Sequence, residues 1–467
     1  MRNNNKFEEK ELSVHVEVGQ RFSVLIKRLG INGEGIGYFQ RKLVFVPGAL
    51  PTEKVLVEVV EDKMRFINAK LVKIERASED RITPVDSYAN EVGGFELENL
   101  AYPAQLDFKR DVILQALNKY KPAGYNKYYL PATIGMENPT GYRNKAQFQV
   151  RKDENDQVIA GLYKANTHDV VDLKTCALQY PLTMEVINAL VKMIQELGIP
   201  VYDEEQNSGI IKTLVVRAAQ ATNQVQVTFV TQSKKLLKKR QLLEMIEQQL
   251  PQVVSVMQNV NPGRTPLVWG DETIHLAGRK TITEELDGVS FDLSPRAFLQ
   301  LNSFMTPTLY QEAFKALELR GGEKIVDAYS GVGTIGLSIA DEVQEVRGMD
   351  TIAEAVDDAN HNALKNNITN AHYEVGEAEV LLPQWLAEGF KPDAIIVDPP
   401  RTGLADSLIN AILESAPKKF VYISCNPSTL AKDLVKLTKK YNVDYIQSID
   451  MMPQTARCEC VVKFTKK

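Results

Sequence analysis

Between Ser294 and the C-terminus, short apolar runs alternate with helical stretches. KIVDAY, VRGMD, DAIIVD and FVYIS are the runs, and the helices begin near Thr334, Ala353 and Ser428. Strands of this kind, apolar on both faces, bury themselves only in a parallel sheet covered on each side by helices. The alternation therefore predicts a doubly wound, Rossmann-like α/β domain over 291–467, with ligands bound beyond the carboxyl ends of its strands. Upstream, residues 14–78 read differently: FSVLIKRL, GINGEGIGYF, KLVFVPGAL, KVLVEVV and FINAKLVKI are short β segments punctuated by Gly and Pro, the pattern of a small OB-like barrel. Residues 79–290 mix helices (LTMEVINALVKMIQELGI, LLKKRQLLEMIEQQL) with strands (TLVVRAA, QVQVTFVT), predicting a central α+β domain.

The 467 residues carry 55 Lys and Arg against 60 Asp and Glu, a net charge of −5. Taken whole, that argues against a basic coat for nucleic acid. Local placement argues otherwise, because basic residues cluster at Lys27 and Arg28, at Arg143 and Lys145, and at Lys234, Lys235, Lys238, Lys239 and Arg240. The last group serves equally as a solvated helix face, whereas GYRNKAQFQV interleaves cations with aromatics as phosphate contact plus base stacking requires. Four cysteines without a C-x-x-C pair suit a reducing compartment. The polar first residues lack a signal-peptide core, and no run approaches the roughly 20 apolar residues of a membrane span. A soluble, cytoplasmic protein is expected.

Four motifs carry chemistry. In KIVDAYSGVGTIGLSIA, Gly331, Gly333 and Gly336 fit G-x-G-x-x-G, which also serves dinucleotides. Asp327, four residues before the first glycine, and Asp350, at the end of the next strand, favour S-adenosylmethionine, with Asp350 accepting bonds from the ribose hydroxyls. The helix after the glycines is expected to aim its amides at that ligand. In DAIIVDPPRTGL, two prolines stiffen the exit after Asp398, and Arg401 stands where amino-group methylases carry an aromatic. In FVYISCNPSTLAKDL, Cys425 sits between a strand and a helix start, where amides and the helix dipole are expected to stabilise a thiolate nucleophile; a buried structural cysteine is the alternative. In MMPQTARCECVVKF, strand alternation places Cys458 and Cys460 on one face and Glu459 on the other. Packing explains the cysteines more simply than a metal would, and a carboxylate at a strand start is ordinarily solvated.

GINGEGIGYF, VFVPGALPTEKV and AKLVKIERASEDRITP resemble a TRAM domain, an RNA-binding barrel. With SPRAFLQLN, DAYSGVGTIGL, DPPRTGL, SCNPSTLAKDL and PQTARCE in that order, nearly the whole chain resembles the RNA uracil-5 methyltransferase family. That resemblance implies S-adenosylmethionine-dependent formation of 5-methyluridine. Cys425 matches the nucleophile that adds to uracil C6, and Glu459 the base that removes the C5 proton. Asp398 matches a catalytic and cofactor position, and Gln300, Tyr329, Gly331, Gly333 and Asp350 match cofactor-binding positions. Thr334 and Glu377 match cofactor positions at which the family varies.

Many relatives hold an iron–sulfur cluster on four cysteines. Here Asp86, Val92 and Phe95 stand at three of those positions and only Cys176 remains, too few for a cluster needing about four ligands. The chain resembles the cluster-free members, which points to 23S rRNA, at one uridine or two. The tRNA T-loop is the alternative, disfavoured on the expectation that tRNA enzymes of the family lack the barrel. An inert, RNA-binding methyltransferase fold is a third reading, opposed by the intact Cys425, Glu459 and Asp398. No DNA, membrane or metal partner is expected, and a monomer is the expectation where the sequence leaves oligomeric state open. Protein purified anaerobically is predicted to be colourless; stoichiometric iron by elemental analysis would overturn the cluster-free reading.

Overall fold

The computed structural model describes residues 15–89, 91–165 and 167–467; the polar stretch through Val14 lies outside the described residues. Five strands, β1 (Arg21–Leu29), β2 (Gly35–Phe39), β3 (Lys42–Val46), β4 (Lys54–Asp62) and β5 (Phe66–Arg76), close a barrel in the order β1-β2-β3-β5-β4. Period-2 alternation fills it: Val24, Ile26, Val44, Val46, Val55, Val57 and Ile67 point inward. At Gly37 a Cβ would lie 2.2 Å from Val24 Cγ1 and 2.8 Å from the Leu25 carbonyl oxygen, so the close β1–β2 crossing requires glycine there.

Helix α1 (Tyr102–Tyr120) follows, then the strands β6 (Lys145–Lys152), β7 (Val158–Tyr163) and β8 (Val170–Asp172) and the helix α2 (Pro181–Leu197). Next come β9 (Ile211–Ala218), β10 (Val225–Thr231), α3 (Lys239–Gln249), β11 (Val253–Val260) and β12 (Glu272–Gly278). The seven strands form one sheet, β12-β11-β10-β9-β6-β7-β8, antiparallel except where β10 meets β11. Helix α2 covers the face that presents Phe148, Leu214, Val216 and Phe229. A hairpin of β13 (Ile282–Leu286) and β14 (Val289–Leu293) leads into the last region.

There α4 (Thr306–Leu317), β15 (Lys324–Ala328), α5 (Thr334–Ser338), β16 (Glu345–Asp350), α6 (Ala353–Lys365), β17 (Ala371–Val375), α7 (Ala378–Ala387), β18 (Ala394–Val397), α8 (Asp406–Ser415), β19 (Lys419–Ser424), α9 (Pro427–Leu437), β20 (Tyr441–Ile449) and β21 (Glu459–Lys466) build a seven-stranded sheet. Its order is β17-β16-β15-β18-β19-β21-β20, parallel except for β21, which runs antiparallel to both neighbours. Alternate side chains serve two cores. Ile325, Ile396, Val421 and Ile423 pack toward α4, α5 and α6, while Val326, Ile395, Val397 and Tyr422 pack toward α7, α8 and α9.

Helix α1 lies within 79–290 by sequence, yet Ile113, Ala116 and Leu117 join the α7–α9 core and the helix packs along α9. Its other side, through Phe108 and Val112, packs with Leu29 and Leu50 of the barrel region and with Ala456. One helix thus ties three parts of the chain together. At its centre Lys109 and Asp450, both fully buried, form an ion pair at 2.5 Å, and the ammonium also donates to the Met452 carbonyl at 2.7 Å. Removing one partner strands a buried charge, which costs about 3–5 kcal/mol. Lys109→Met is predicted to destabilise the protein by about that amount in chemical denaturation. Adding Asp450→Leu should recover most of the loss, and a single-variant cost below ~1 kcal/mol would contradict this role.

Candidate active site

In the last sheet the strand order reverses between β15 and β18, the place where open α/β sheets bind ligands. A cleft of about 990 Å³ opens there, with Arg143 and Gln147 of the second sheet region facing it across the gap. Gln300, Tyr329, Gly331, Asp350, Glu377, Asp398, Cys425 and Glu459, all expected from the sequence, line this one cleft.

One end is built by the turn after β15. Tyr329 has φ 66° and Gly331 φ 54°, so the chain leaves the strand through left-handed backbone, which for the tyrosine stores about 1–3 kcal/mol of strain. The Asp350 carboxylate fixes this turn: Oδ2 accepts the Gly331 amide at 3.0 Å and Oδ1 the Ile352 amide at 3.0 Å. Each oxygen keeps a lone pair for a diol, and a Cβ at Gly331 would meet only the Phe298 carbonyl, at 3.8 Å. A nucleoside therefore fits against this turn.

Gly333 and Thr334 are placed differently from the sequence expectation, since neither lines the cleft. A Cβ on Gly333 would lie 2.9 Å from the Tyr373 ring, and the Thr334 hydroxyl bonds Tyr310 Oη at 2.7 Å, so both support the turn from behind. The helix that follows, α5, has only five residues, and the Gly336 amide is committed to Asp327 Oδ2 at 2.9 Å. That amide, one of those expected to point at a ligand, serves the fold instead.

The other end holds the reactive groups. Asp398 follows β18 directly and accepts a bond from Gln300 Nε2 at 3.2 Å. Cys425 lies between β19 and α9, whose first turn is capped by the Asn426 side chain accepting the Ser428 amide at 3.1 Å. The Asn426 Nδ2 group donates to the Arg401 carbonyl at 2.8 Å, which joins the Cys425 turn to the one after Asp398. The Cys425 thiol faces the Pro399 carbonyl at 4.0 Å.

Here the electrostatics reverse the sequence expectation. Burial, then the Glu459 and Asp398 carboxyls, push the Cys425 thiol up to about 12, and Arg401 opposes them only in part. The helix start does not suffice to hold a thiolate in the free protein. Glu459, rather than being solvated, is 5% exposed with Oε1 unpartnered among the described residues. Burial, followed by Asp398, raises its carboxyl well above the usual range; burial and Asp327 raise Asp398. In the free protein both groups of the Cys425–Glu459 pair thus bind their protons more tightly than usual.

Glu459 is delivered by the loop after β20, and several elements hold that loop. Gln105 of α1 donates to Gln454 Oε1 at 2.7 Å and accepts the Gln454 amide at 2.9 Å. Tyr142 donates to the Pro453 carbonyl at 2.9 Å and Asn302 to the Met451 carbonyl at 3.0 Å. Alternation sends Cys460 into the α7–α9 core together with Cys458, as packing rather than as ligands. Asn302 closes the SPRAFLQLN run, and Gln105 and Lys109 lie in LENLAYPAQLDFKR; their task of holding the loop depends on where these distant segments meet, which the runs themselves do not show.

Val92 and Phe95, two of the positions that the resemblance compares with cluster cysteines, form part of the hydrophobic core of the second sheet, with Tyr88 beside them. Tyr88 and Phe95 meet edge to face at 5.5 Å, and Asp86 Oδ2 accepts the Ala177 amide at 2.9 Å beside Cys176. Among the described residues no group of His, Cys, Asp and Glu is arranged to hold a metal ion, and no helix is long and apolar enough to cross a membrane.

The reversed sheet order, the nucleoside-sized turn over Asp350 and the cysteine–carboxyl pair beside it define a Rossmann-like methyltransferase. Residues 101–467 match the tRNA (uracil-5-)-methyltransferase family model and residues 15–72 the TRAM domain model, so the chain belongs to the RNA uracil-5 methyltransferase family and carries a TRAM domain. It is 63% identical to an uncharacterized RNA methyltransferase of Lactiplantibacillus plantarum over 98% of this chain and 95% of that one. A second, from Enterococcus faecalis, is 55% identical over 97% and 99%. Among solved structures, the Pyrococcus abyssi tRNA (uracil-54, C5)-methyltransferase, in complex with S-adenosyl-L-homocysteine, superposes with a TM-score of 0.77. It is 28% identical and covers 95% of this chain and 99% of its own.

Because Asp398 raises the Cys425 thiol, Asp398→Asn is predicted to shift the midpoint of Cys425 alkylation by iodoacetamide, followed by peptide mass spectrometry, to lower pH. A midpoint unchanged or raised would contradict the assigned cause.

Proposed function

We propose that this enzyme transfers a methyl group from S-adenosylmethionine to C5 of uridine in 23S rRNA, at one site or two, through a covalent adduct between Cys425 and uracil C6. The observation that carries this reading is that Cys425, Glu459 and Asp398 share one cleft with the Asp350 turn. S-adenosylmethionine supplies an electrophilic methyl on a sulfonium centre. Asp350 and Tyr329 hold its nucleoside, and the carboxylates lining the cleft, Glu377 and Glu379 among them, suit a cationic donor.

Uracil C5 is a weak nucleophile. Bond formation from Cys425 Sγ to C6 opens the C5–C6 double bond to an enolate, and the thiol proton leaves through the cleft to solvent. C5 then takes the methyl group. Once its own proton has left to solvent, Glu459 as carboxylate removes the C5 proton; the C–H electrons restore the double bond as the Sγ–C6 bond breaks, and the freed thiolate takes a proton back from solvent. One proton is released per methyl transferred. The burial that makes Glu459 hold its proton tightly makes its carboxylate a strong base, and Asp398 orients the uracil edge. The target base leaves its stack to reach this depth, which costs a few kcal/mol.

The apolar packing at Val92 and Phe95 supports the cluster-free, rRNA-directed branch of the family. A second reading, methylation of a tRNA T-loop uridine, gains from the Pyrococcus abyssi enzyme: its match covers 95% of this chain, so a chain of this whole length and fold acts on tRNA. The barrel therefore does not discriminate between the two substrates as the sequence reading expected. Total RNA from a strain lacking the gene, methylated with labelled donor and mapped, is predicted to carry 5-methyluridine in 23S rRNA. Label confined to tRNA would establish the second reading, and absence of 5-methyluridine would sink both. Cys425→Ala should abolish transfer while retaining donor binding by calorimetry; residual full turnover would exclude the adduct.

A further inference from the structure

A second cleft, of about 780 Å³, lies on the far side of Cys425, between the barrel, α1 and the start of α9. Arg401, Cys425, Arg457 and Cys458 line both clefts, so the reactive thiol stands where the two meet. Their charges differ sharply. Six carboxyl side chains, Glu96, Asp350, Glu377, Glu379, Asp398 and Glu459, line the first beside three arginines, Arg143 and the shared Arg401 and Arg457, whereas no Asp or Glu lines the second. Four cations line it instead: Arg28 from β1, Lys119 from α1, and Arg401 and Arg457 from the two turns beside the thiol. None of the four takes part in an ion pair among the described residues. The Arg28 guanidinium rests on neutral acceptors, the Leu29 carbonyl at 3.1 Å and Gln115 Oε1 at 2.6 Å, which fix its place without cancelling its charge.

In a chain of net charge −5, four unpaired cations around one cleft with no acid among them fit a polyanion. Ile31, 46% exposed at the rim, adds an apolar surface of the kind on which a base can rest. We propose that this second cleft is the path of the single-stranded RNA segment flanking the target uridine. Phosphates track from Arg401 and Arg457 beside the thiol out past Lys119 to Arg28 of the barrel. This rests on the proposed uridine methylation and assigns the strand's route: the barrel and α1 grip RNA covalently continuous with the reacting base, so the strand entering the cleft is single-stranded at Cys425.

The test uses the full-length enzyme and an RNA it methylates. Each single-strand phosphate contact contributes about 0.7 to the slope of log binding constant against log salt. Arg28→Ala with Lys119→Ala, neither in the catalytic machinery, is expected to lower that slope by about 1.4. The same variant should raise KM for RNA while leaving KM for S-adenosylmethionine and kcat at saturating RNA unchanged. An unaltered slope and KM would overturn the proposal, as would the same slope loss in Lys238→Ala with Lys239→Ala at the start of α3 instead. If the wild-type enzyme methylates no uridine in any RNA, the functional reading fails and the groove assignment with it; activity with an unaltered slope in the barrel variant fails the groove alone.

Discussion

The buried Lys109–Asp450 ion pair is the contact on which the rest of the structure depends. Its two residues are 341 positions apart, on α1 and on the loop that delivers Glu459. Two charges this deep are sustained only by each other and by further hydrogen bonds, and the Met452 carbonyl supplies one of these to the ammonium. Helix α1 is at once a covering helix of the catalytic sheet and the surface on which the barrel packs. Fixing it to the loop sets the barrel, the sheet and Glu459 in one geometry. The Gln105–Gln454 pair and the Tyr142 and Asn302 bonds extend the same clamp, so Glu459 is positioned by several separate parts of the chain.

The second constraint is electrostatic. Cys425, Asp398 and Glu459 line one cleft; burial raises the proton affinity of all three, Glu459 and Asp398 raise that of the thiol further, and Asp398 that of Glu459. The resting site is therefore closer to neutral than its residue types suggest, which limits the penalty of burying it. The charge left uncompensated lies instead in the adjoining cleft, as cations. A whole-chain balance near neutrality thus conceals two neighbouring clefts, one mixed in charge and one purely cationic, joined at the thiol.

Much of this was legible in the sequence where the signal is local. Strand–helix alternation gave the doubly wound sheet because its period reflects burial on two faces, and Asp350, Asp398 and Cys425 were legible because each follows a strand at the sheet edge. What escaped depends on tertiary environment. Glu459 reads as a solvated carboxylate until the loop before it is seen pinned under α1, and the thiol shift follows from burial that no local pattern encodes. Gly333 and Thr334 sit in the motif yet face Tyr373 and Tyr310, because a glycine loop serves packing as well as ligand approach. Helix α1 belongs to one stretch by chain order and to another by packing, which its apolar contacts with the α7–α9 core and the Lys109–Asp450 pair together explain.

The central claim is that Cys425 bonds to uracil and Glu459 releases it. Glu459→Gln enzyme, incubated with substrate RNA and S-adenosylmethionine, separated under denaturing conditions and digested for mass spectrometry, tests it most directly. The account predicts a methylated uridine covalently attached to the peptide containing Cys425. Methyl transfer at the wild-type rate with no retained adduct, or an adduct on a different residue, would contradict it.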